Sequence, residues 1–217
     1  MIHLYAFASN LRALPAETGI GGGPLETLAV DDAKAVVSRV PEPDVSQEAI
    51  LQHGLVVEAL VDRCDGIVPA RFGERFADDE ALRTAVERLR PSLGERLRDL
   101  DGCVEIAVRV VDARERDSPS ATDGGDYMRA KLGELHERDA IAEALHLPLE
   151  REARASIVTP PRAGAVVHEG AYLVRRTGLG SFRERVDRYA GAHPELTVLC
   201  TGPWAPYSFA AGAQEAA

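Results

Sequence analysis

The sequence predicts an α+β protein, because short strand patterns alternate with longer amphipathic helix patterns along the whole chain. Its 217 residues are 45% hydrophobic and 28% charged, so they can bury a sizeable core. At roughly 100 to 200 residues per domain, this length fits two small domains. The predicted divisions are residues 1–100, residues 101–201 and a C-terminal tail over residues 202–217.

The second half shows the clearest order of elements: strand, helix, strand, strand, helix, strand. Residues 103–111 alternate apolar and polar side chains, which is typical of a strand with one solvated face. The long helix that follows has an outer face rich in arginine and glutamate, and its apolar positions are Met128, Leu132, Leu135, Ala142 and Leu145. Two strands come next, then a helix opened by a capping box of Ser181 and Glu184, and a last strand over residues 196–201. This order predicts a split βαβ, or ferredoxin-like, domain with both helices on one face of a four-stranded antiparallel sheet.

The first half reads as a variant of the same plan, with three strands, a helix, a strand and a helix. Ser46 and Asp78 are the predicted N-caps of its two helices. The first helix carries two sets of apolar or buried-type positions: Ile50, His53, Val57, Leu60 and Cys64 on one face, with Leu51, Leu55 and Val61 beside them. Because apolar residues occupy much of the circumference of this helix, it is predicted to be well covered by the rest of the protein. Pro91 predicts a kink or a restart in the second helix.

Charge and cysteine usage exclude several classes of protein. The formal net charge of −10 argues against a nucleic-acid partner, which needs a basic face. The three cysteines are far apart and predict neither a disulfide framework nor a zinc site. The N-terminus lacks the pattern of a signal peptide and no apolar run is long enough to span a membrane, so a cytoplasmic protein without membrane insertion is expected.

The chain shows no arrangement that favours catalysis, a metal or a cofactor. His53 lies on the apolar helix face, where a core histidine bonded to a backbone carbonyl is favoured over a catalytic one. Arg71 and Arg75 bracket a glycine turn and are open to two interpretations. They either hold an anion or a partner's carboxylate, or, as we favour, form salt bridges with acids of this chain.

The tail contains the motif GPWAPYSF over residues 202–209, directly after the last predicted strand. Pro203 and Pro206 are expected to end strand pairing and to lay Trp204, Tyr207 and Phe209 along the protein surface. A structural role for this tail is favoured over contact with a partner.

Three motifs together resemble the gas vesicle protein GvpF/GvpL family: VPARFGERF (68–76), AYLVRR (171–176) and GPWAPYSF (202–209), with Gln52 and His53 on the preceding helix. The likeness covers nearly the whole chain. Two positions depart from the family pattern, Ala205 in place of a proline and Glu74 in place of a threonine. They leave open whether the chain is F-like or L-like.

The resemblance implies a non-enzymatic accessory protein of gas vesicle formation with two ferredoxin-like domains. It implies binding to the hydrophobic shell protein GvpA or to other accessory Gvp proteins, and association with gas vesicles. The candidate partner-binding or structural residues are His53, Arg71, Phe72, Arg75, Trp204, Tyr207 and Phe209. The alternative is a ferredoxin-like small-molecule-binding domain or enzyme with a pocket near His53 and Arg71.

Overall fold

The computed structural model describes residues 1–42, 44–89, 92–112, 114, 124–160 and 165–210. The chain forms two compact units. The first unit contains Met1–Glu105 together with the segment that begins at Pro203, and the second contains Ile106–Gly202. The C-terminal motif therefore belongs mostly to the first unit.

The first unit is built on an antiparallel sheet with β1 at its centre. Its strands are β1 (Ile2–Ala8), β2 (Leu25–Val30), β3 (Ala33–Arg39), β4 (Ile67–Pro69) and β5 (Arg75–Phe76). Its helices are α1 (Gln47–Val61), α2 (Asp79–Glu87) and α3 (Leu93–Asp99). The strand order is β2-β3-β1-β4, and β5 also pairs with β1. All seven residues of β1 are buried, as a central strand requires.

Local capping chemistry sets the starts of these helices. The Ser46 side chain accepts a hydrogen bond from the Ala49 amide, and Asp78 accepts one from the Ala81 amide, as predicted. A further capping box of Ser92 and Glu95 opens α3. Pro91 lies outside the described residues, in the interval between α2 and α3 where the sequence predicts a break.

The prediction that α1 is well covered is wrong for its outer side. His53, Val57 and Leu60 are buried against the sheet as predicted, but Ile50, which was placed on the same face, is exposed. Leu51 and Leu55 are exposed as well, at 63% and 57%. A helix that packs on one sheet buries only the side that faces the sheet. Apolar residues on its other sides therefore remain in solvent.

The second unit holds the four-stranded sheet that the sequence predicts. Its elements are β6 (Cys103–Val111), α4 (Gly124–Glu150), β7 (Ala155–Val158), β8 (Val166–Arg175), α5 (Leu179–Ala192) and β9 (Thr197–Trp204). The first three residues of β6 and the last two of β9 belong to the first unit, as does α6 (Tyr207–Ala210). The strand order is β7-β8-β6-β9, which is compatible with a ferredoxin-like plan. Its core joins β6, β8 and the two helices through Ile106, Val108, Leu145, Tyr172, Phe182 and Val186.

Two local predictions for this half are wrong, and part of the apolar face of α4 is not packed. The helix α5 begins at Leu179 rather than at Ser181, whose hydroxyl donates to Glu152 and to the Gly178 carbonyl. Strand β9 continues through Pro203 to Trp204, so Pro203 does not end the strand. Met128, Leu132 and Leu135 of α4 are exposed instead of packed.

Within the described residues, no helix combines the length and the apolar character needed to cross a membrane.

Candidate functional site

The signature residues 68–76 form β4, a tight turn and β5 in the first unit. The Ala70 amide donates to the Tyr5 carbonyl and the Leu4 amide donates to the Glu74 carbonyl, so both ends of the turn are fixed to β1. The Glu74 side chain accepts a hydrogen bond from the Arg71 amide at 3.3 Å. Gly73 has φ of 96°, a left-handed conformation that favours glycine. Glu74 therefore has a structural role in the turn.

His53 belongs to a buried chain of hydrogen bonds beneath this turn. Its Nε2 lies 3.0 Å from the Ala70 carbonyl oxygen, and its Nδ1 lies 2.9 Å from Nε2 of His3. A carbonyl can only accept, so His53 Nε2 carries the proton and its Nδ1 accepts from the His3 Nε2–H. The carbonyl bond is the one expected of a core histidine.

The rings around this chain form an aromatic cluster. Tyr5 stacks on His53 at a centroid distance of 5.3 Å, and Phe72 lies edge-on to His53 at 5.7 Å. The Tyr5 hydroxyl accepts a hydrogen bond from the Ile20 amide and also bonds Ser38 Oγ. Phe72 of the signature turn is therefore an anchor that packs on the histidine pair.

Burial keeps both histidines neutral. Desolvation, followed by the nearby His53 and Arg75, lowers the pKa of His3 to about 4. Burial also lowers the pKa of His53, although its bond to the Ala70 carbonyl opposes that shift. Since both ring nitrogens of His53 are already bonded, this residue is unsuited to act as a general base.

The second unit contains a comparable cluster around Tyr172 of the AYLVRR motif. The Tyr172 hydroxyl lies 2.9 Å from His168 Nε2 and 3.0 Å from His146 Nδ1. Burial, and then the neighbouring His146, lower the pKa of His168 to about 4, and burial raises the pKa of Tyr172. This motif is a core element of its own unit.

Side chains of the first unit hold the C-terminal motif. Glu105 accepts two hydrogen bonds from Ser208, at 2.9 Å from its amide and 2.7 Å from its hydroxyl. Arg96 Nη1 donates to the Ala210 carbonyl at 3.0 Å. Ala205 is fully buried, where the family pattern has a proline. The described part of the tail, up to Ala210, therefore packs back on the protein, as the sequence predicts.

Part of the motif nevertheless stays in contact with solvent. Trp204 is 43% exposed and Tyr207 is 37% exposed, whereas Phe209 is half-buried. Burial and then the nearby Glu58 raise the pKa of Tyr207 to about 12, so its hydroxyl remains protonated. Since Glu58 acts on Tyr207, the tail lies near this residue of α1, which is one turn beyond Leu55.

Arg71 and Tyr207 line the same small cleft, of about 360 Å³, so the structure brings these two predicted residues together. Phe7, Val68, Ala70 and Arg96 line it as well. The favoured salt bridges are not found: among the described residues, the guanidinium groups of Arg71 and Arg75 have no carboxylate at ion-pair distance. The sequence predicted a pocket near His53 and Arg71. Arg71 lines this cleft, but His53 does not.

Sequence reasoning missed four residues that build this site: His3, Tyr5, Arg96 and Glu105. His3 and Tyr5 stand two apart in a strand, which places both on one face and would have suggested a polar cluster. Nothing local marks Arg96 or Glu105, whose partners are about a hundred residues away along the chain. In the described part of the chain, no group of three or more histidine, cysteine or acidic side chains is placed to hold a metal ion.

The fold and these contacts define a class: a two-unit α+β protein whose signature motifs form turns, clusters of rings and a docked tail. Most residues of the signature motifs therefore pack within the protein, and the others lie on its exposed surface. The family described as gas vesicle synthesis protein GvpL/GvpF matches residues 1–211, and the chain belongs to this family. Membership gives it a role in gas vesicle formation.

Individual relatives agree with this membership. The chain is 32% identical to gas vesicle protein L of Streptomyces sp. (strain CB03234), over 91% of this chain and 87% of that protein. It is 25% identical to gas vesicle protein F2 of Halobacterium salinarum, over 95% and 91% of the two chains. Crystal structures of GvpF from Anabaena sp. PCC7120 and from Microcystis aeruginosa share the fold, each with a TM-score of 0.77 and 18% identity over 96% of this chain. The matched regions cover 95% of the Anabaena chain and 98% of the Microcystis chain.

Proposed function

We propose that this protein is a non-catalytic accessory factor of gas vesicle formation that binds the shell protein GvpA, or another accessory Gvp protein. The observation that supports it most is the exposed apolar surface of α1. Ile50, Leu51 and Leu55, here called the α1 strip, lie in solvent although their type favours burial. Contiguous exposed apolar residues mark interaction surfaces more often than scattered ones do.

The surroundings of the α1 strip suit a protein partner. Gly54 lies among these residues, and a Cβ at that position would meet no neighbouring atom, so a partner's backbone can approach closely. Glu58 and Tyr207 extend the surface toward the C-terminal motif. Arg71, which lines the cleft beside Tyr207, can receive a carboxylate of the partner.

The chemistry of a gas vesicle shell explains why an accessory protein would need the α1 strip. A subunit that assembles into an apolar, gas-facing wall exposes surface that aggregates unless another protein covers it. An acidic protein with a net charge of −10 stays dispersed while its apolar strip covers that surface. Such a factor acts in the cytoplasm and on growing vesicles.

Binding of purified GvpA to the double variant Leu51→Gln/Leu55→Gln tests the proposal. Glutamine keeps the helix propensity of leucine but removes apolar contact, so binding should weaken about tenfold or more. The control is Leu147→Gln/Leu199→Gln, which removes two exposed leucines from the second unit and should leave binding unchanged. Equal binding by the wild type and both variants would exclude the α1 strip.

Trp204→Ala separates the tail from the helix. If the tail contributes to the interface, this variant weakens GvpA binding while its thermal unfolding stays that of a folded protein. Unchanged binding by the folded variant would remove Trp204 from the interface. Binding of each accessory Gvp protein in turn would then show whether the α1 strip serves one of those instead.

A further inference from the structure

The first half of α4 exposes a second apolar stripe, in the second unit. Met128, Leu132 and Leu135 are 61%, 51% and 45% exposed and are here called the α4 stripe. They occupy positions i, i+4 and i+7, which lie within roughly 60° of one another around a helix that turns ~100° per residue. This spacing is the one by which an amphipathic helix presents anchors to a partner.

The side of α4 that packs on its own unit is a different one. Leu145 and Leu149 are buried in the core, and Tyr189 Oη donates to the Ile141 carbonyl. Arg138 Nη2 also donates to the Val166 carbonyl. These positions lie roughly 100° around the helix from the α4 stripe. The helix is therefore held by its second half, and the α4 stripe takes no part in that packing.

Cations border the α4 stripe on both sides. Lys131 and the half-buried Arg138 lie along one edge, and Arg129 lies along the other, by their helical positions. Two of these cations pair within the helix, Arg129 with Asp126 and Lys131 with Glu134. Exposed pairs of this kind contribute only ~0.2–1 kcal/mol, so a partner's carboxylates can replace them.

The charges beside the α4 stripe indicate which kind of helix can pack on it. When two helices pack along such a stripe, the residues that border it face the bordering residues of the other helix. In a pair of copies of this chain, cations would face cations in both the parallel and the antiparallel orientation. We propose that the α4 stripe docks an amphipathic helix of a partner protein whose apolar face is bordered by aspartate and glutamate. This goes beyond the proposed function, because it places a second docking surface in the second unit.

The test uses the full chain and a fluorescein-labelled designed helix of about 21 residues, with leucine at the core positions and glutamate at the bordering ones. Its fluorescence anisotropy should saturate on titration with the wild type. Leu132→Gln/Leu135→Gln should weaken the peptide's affinity about tenfold or more, because two anchors are lost. Leu147→Gln/Leu199→Gln, the control, removes two exposed leucines outside both apolar surfaces and should bind like the wild type. A peptide with lysine in place of glutamate should bind about tenfold more weakly than the acidic one at low salt.

Three outcomes would overturn the proposal: no saturable binding of the acidic peptide, equal binding by the α4 variant, or equal binding of the lysine peptide. Sedimentation velocity of the free chain tests whether a second copy of this chain packs on the α4 stripe instead. A dimer that Leu132→Gln/Leu135→Gln converts to monomer would identify a second copy as the occupant. Because these residues are exposed, the variant should keep the wild-type melting temperature. The GvpA experiment uses a different probe and a different variant, so either proposal can fail alone.

Discussion

At the scale of single residues, Gly73 shows how a signature motif acts through its backbone. Its φ of 96° lies where a side chain is strained, although a Cβ there would meet no atom within 4 Å. Gly73→Ala should therefore lower the free energy of unfolding by about 1–2 kcal/mol, through conformation alone. Urea denaturation followed by circular dichroism measures this change.

The control is a glycine of the same unit with helical backbone. Gly54 also has open space around its would-be Cβ but lies inside α1. Gly54→Ala should raise the free energy of unfolding by roughly 0.5–1 kcal/mol, because alanine favours the helix. A loss at Gly54 as large as that at Gly73 would show that the two sites do not differ by backbone conformation.

At the scale of elements, sequence predicted what local chemistry decides. Ser46 and Asp78 cap their helices as expected, since a cap needs only its own first turn. Periodicity also identified α1 and α4, but it shows which positions are apolar and not which of them find a partner. Leu55 and Leu132 fit their helical patterns and still lie in solvent. The order of elements predicted the fold class for the same local reasons.

The candidate site was less predictable because most of its bonds join distant parts of the chain. His53 was found from its helix face, but its partner His3 is 50 residues away. Glu105 and Ser208 are separated by 103 residues, and no local pattern links them. Tertiary contacts of this kind require the fold before they can be seen.

The attachment of α6 can be measured through that bond. Ser208→Ala removes the 2.7 Å bond from the hydroxyl to the buried Glu105 carboxylate. The expected loss is about 1.5–3 kcal/mol in the free energy of unfolding, because the acceptor is charged and buried. The same substitution at Ser181, whose hydroxyl bonds Glu152 at an exposed site, should cost less than about 1 kcal/mol. Equal losses in urea denaturation would show that burial of Glu105 does not strengthen its bond to the tail.

At the scale of the whole molecule, each unit buries a neutral histidine on a strand of its sheet, His3 on β1 and His168 on β8. The pKa of His3 in the first unit and of His168 in the second is lowered to about 4, in both cases chiefly by burial. An unfolded chain returns both groups to their ordinary pKa of about 6.5. Between pH 6.5 and 4 the unfolded state therefore binds more protons than the folded state, and acid favours unfolding of both units.

Stability should then be flat above pH 6.5 and should fall as the pH is lowered toward 4. Each histidine contributes a slope of at most about 1.4 kcal/mol per pH unit to the free energy of unfolding. Urea denaturation at intervals from pH 7.5 to 4.5 measures that slope, and the double variant His3→Gln/His168→Gln should reduce it. Since carboxylates add their own acid dependence in both proteins, only the difference between the two curves reports the histidines. An unchanged slope in the variant would mean that these histidines are protonated in the folded chain, contrary to their burial. Because the two clusters lie in separate units, each single variant should account for its own share of the difference.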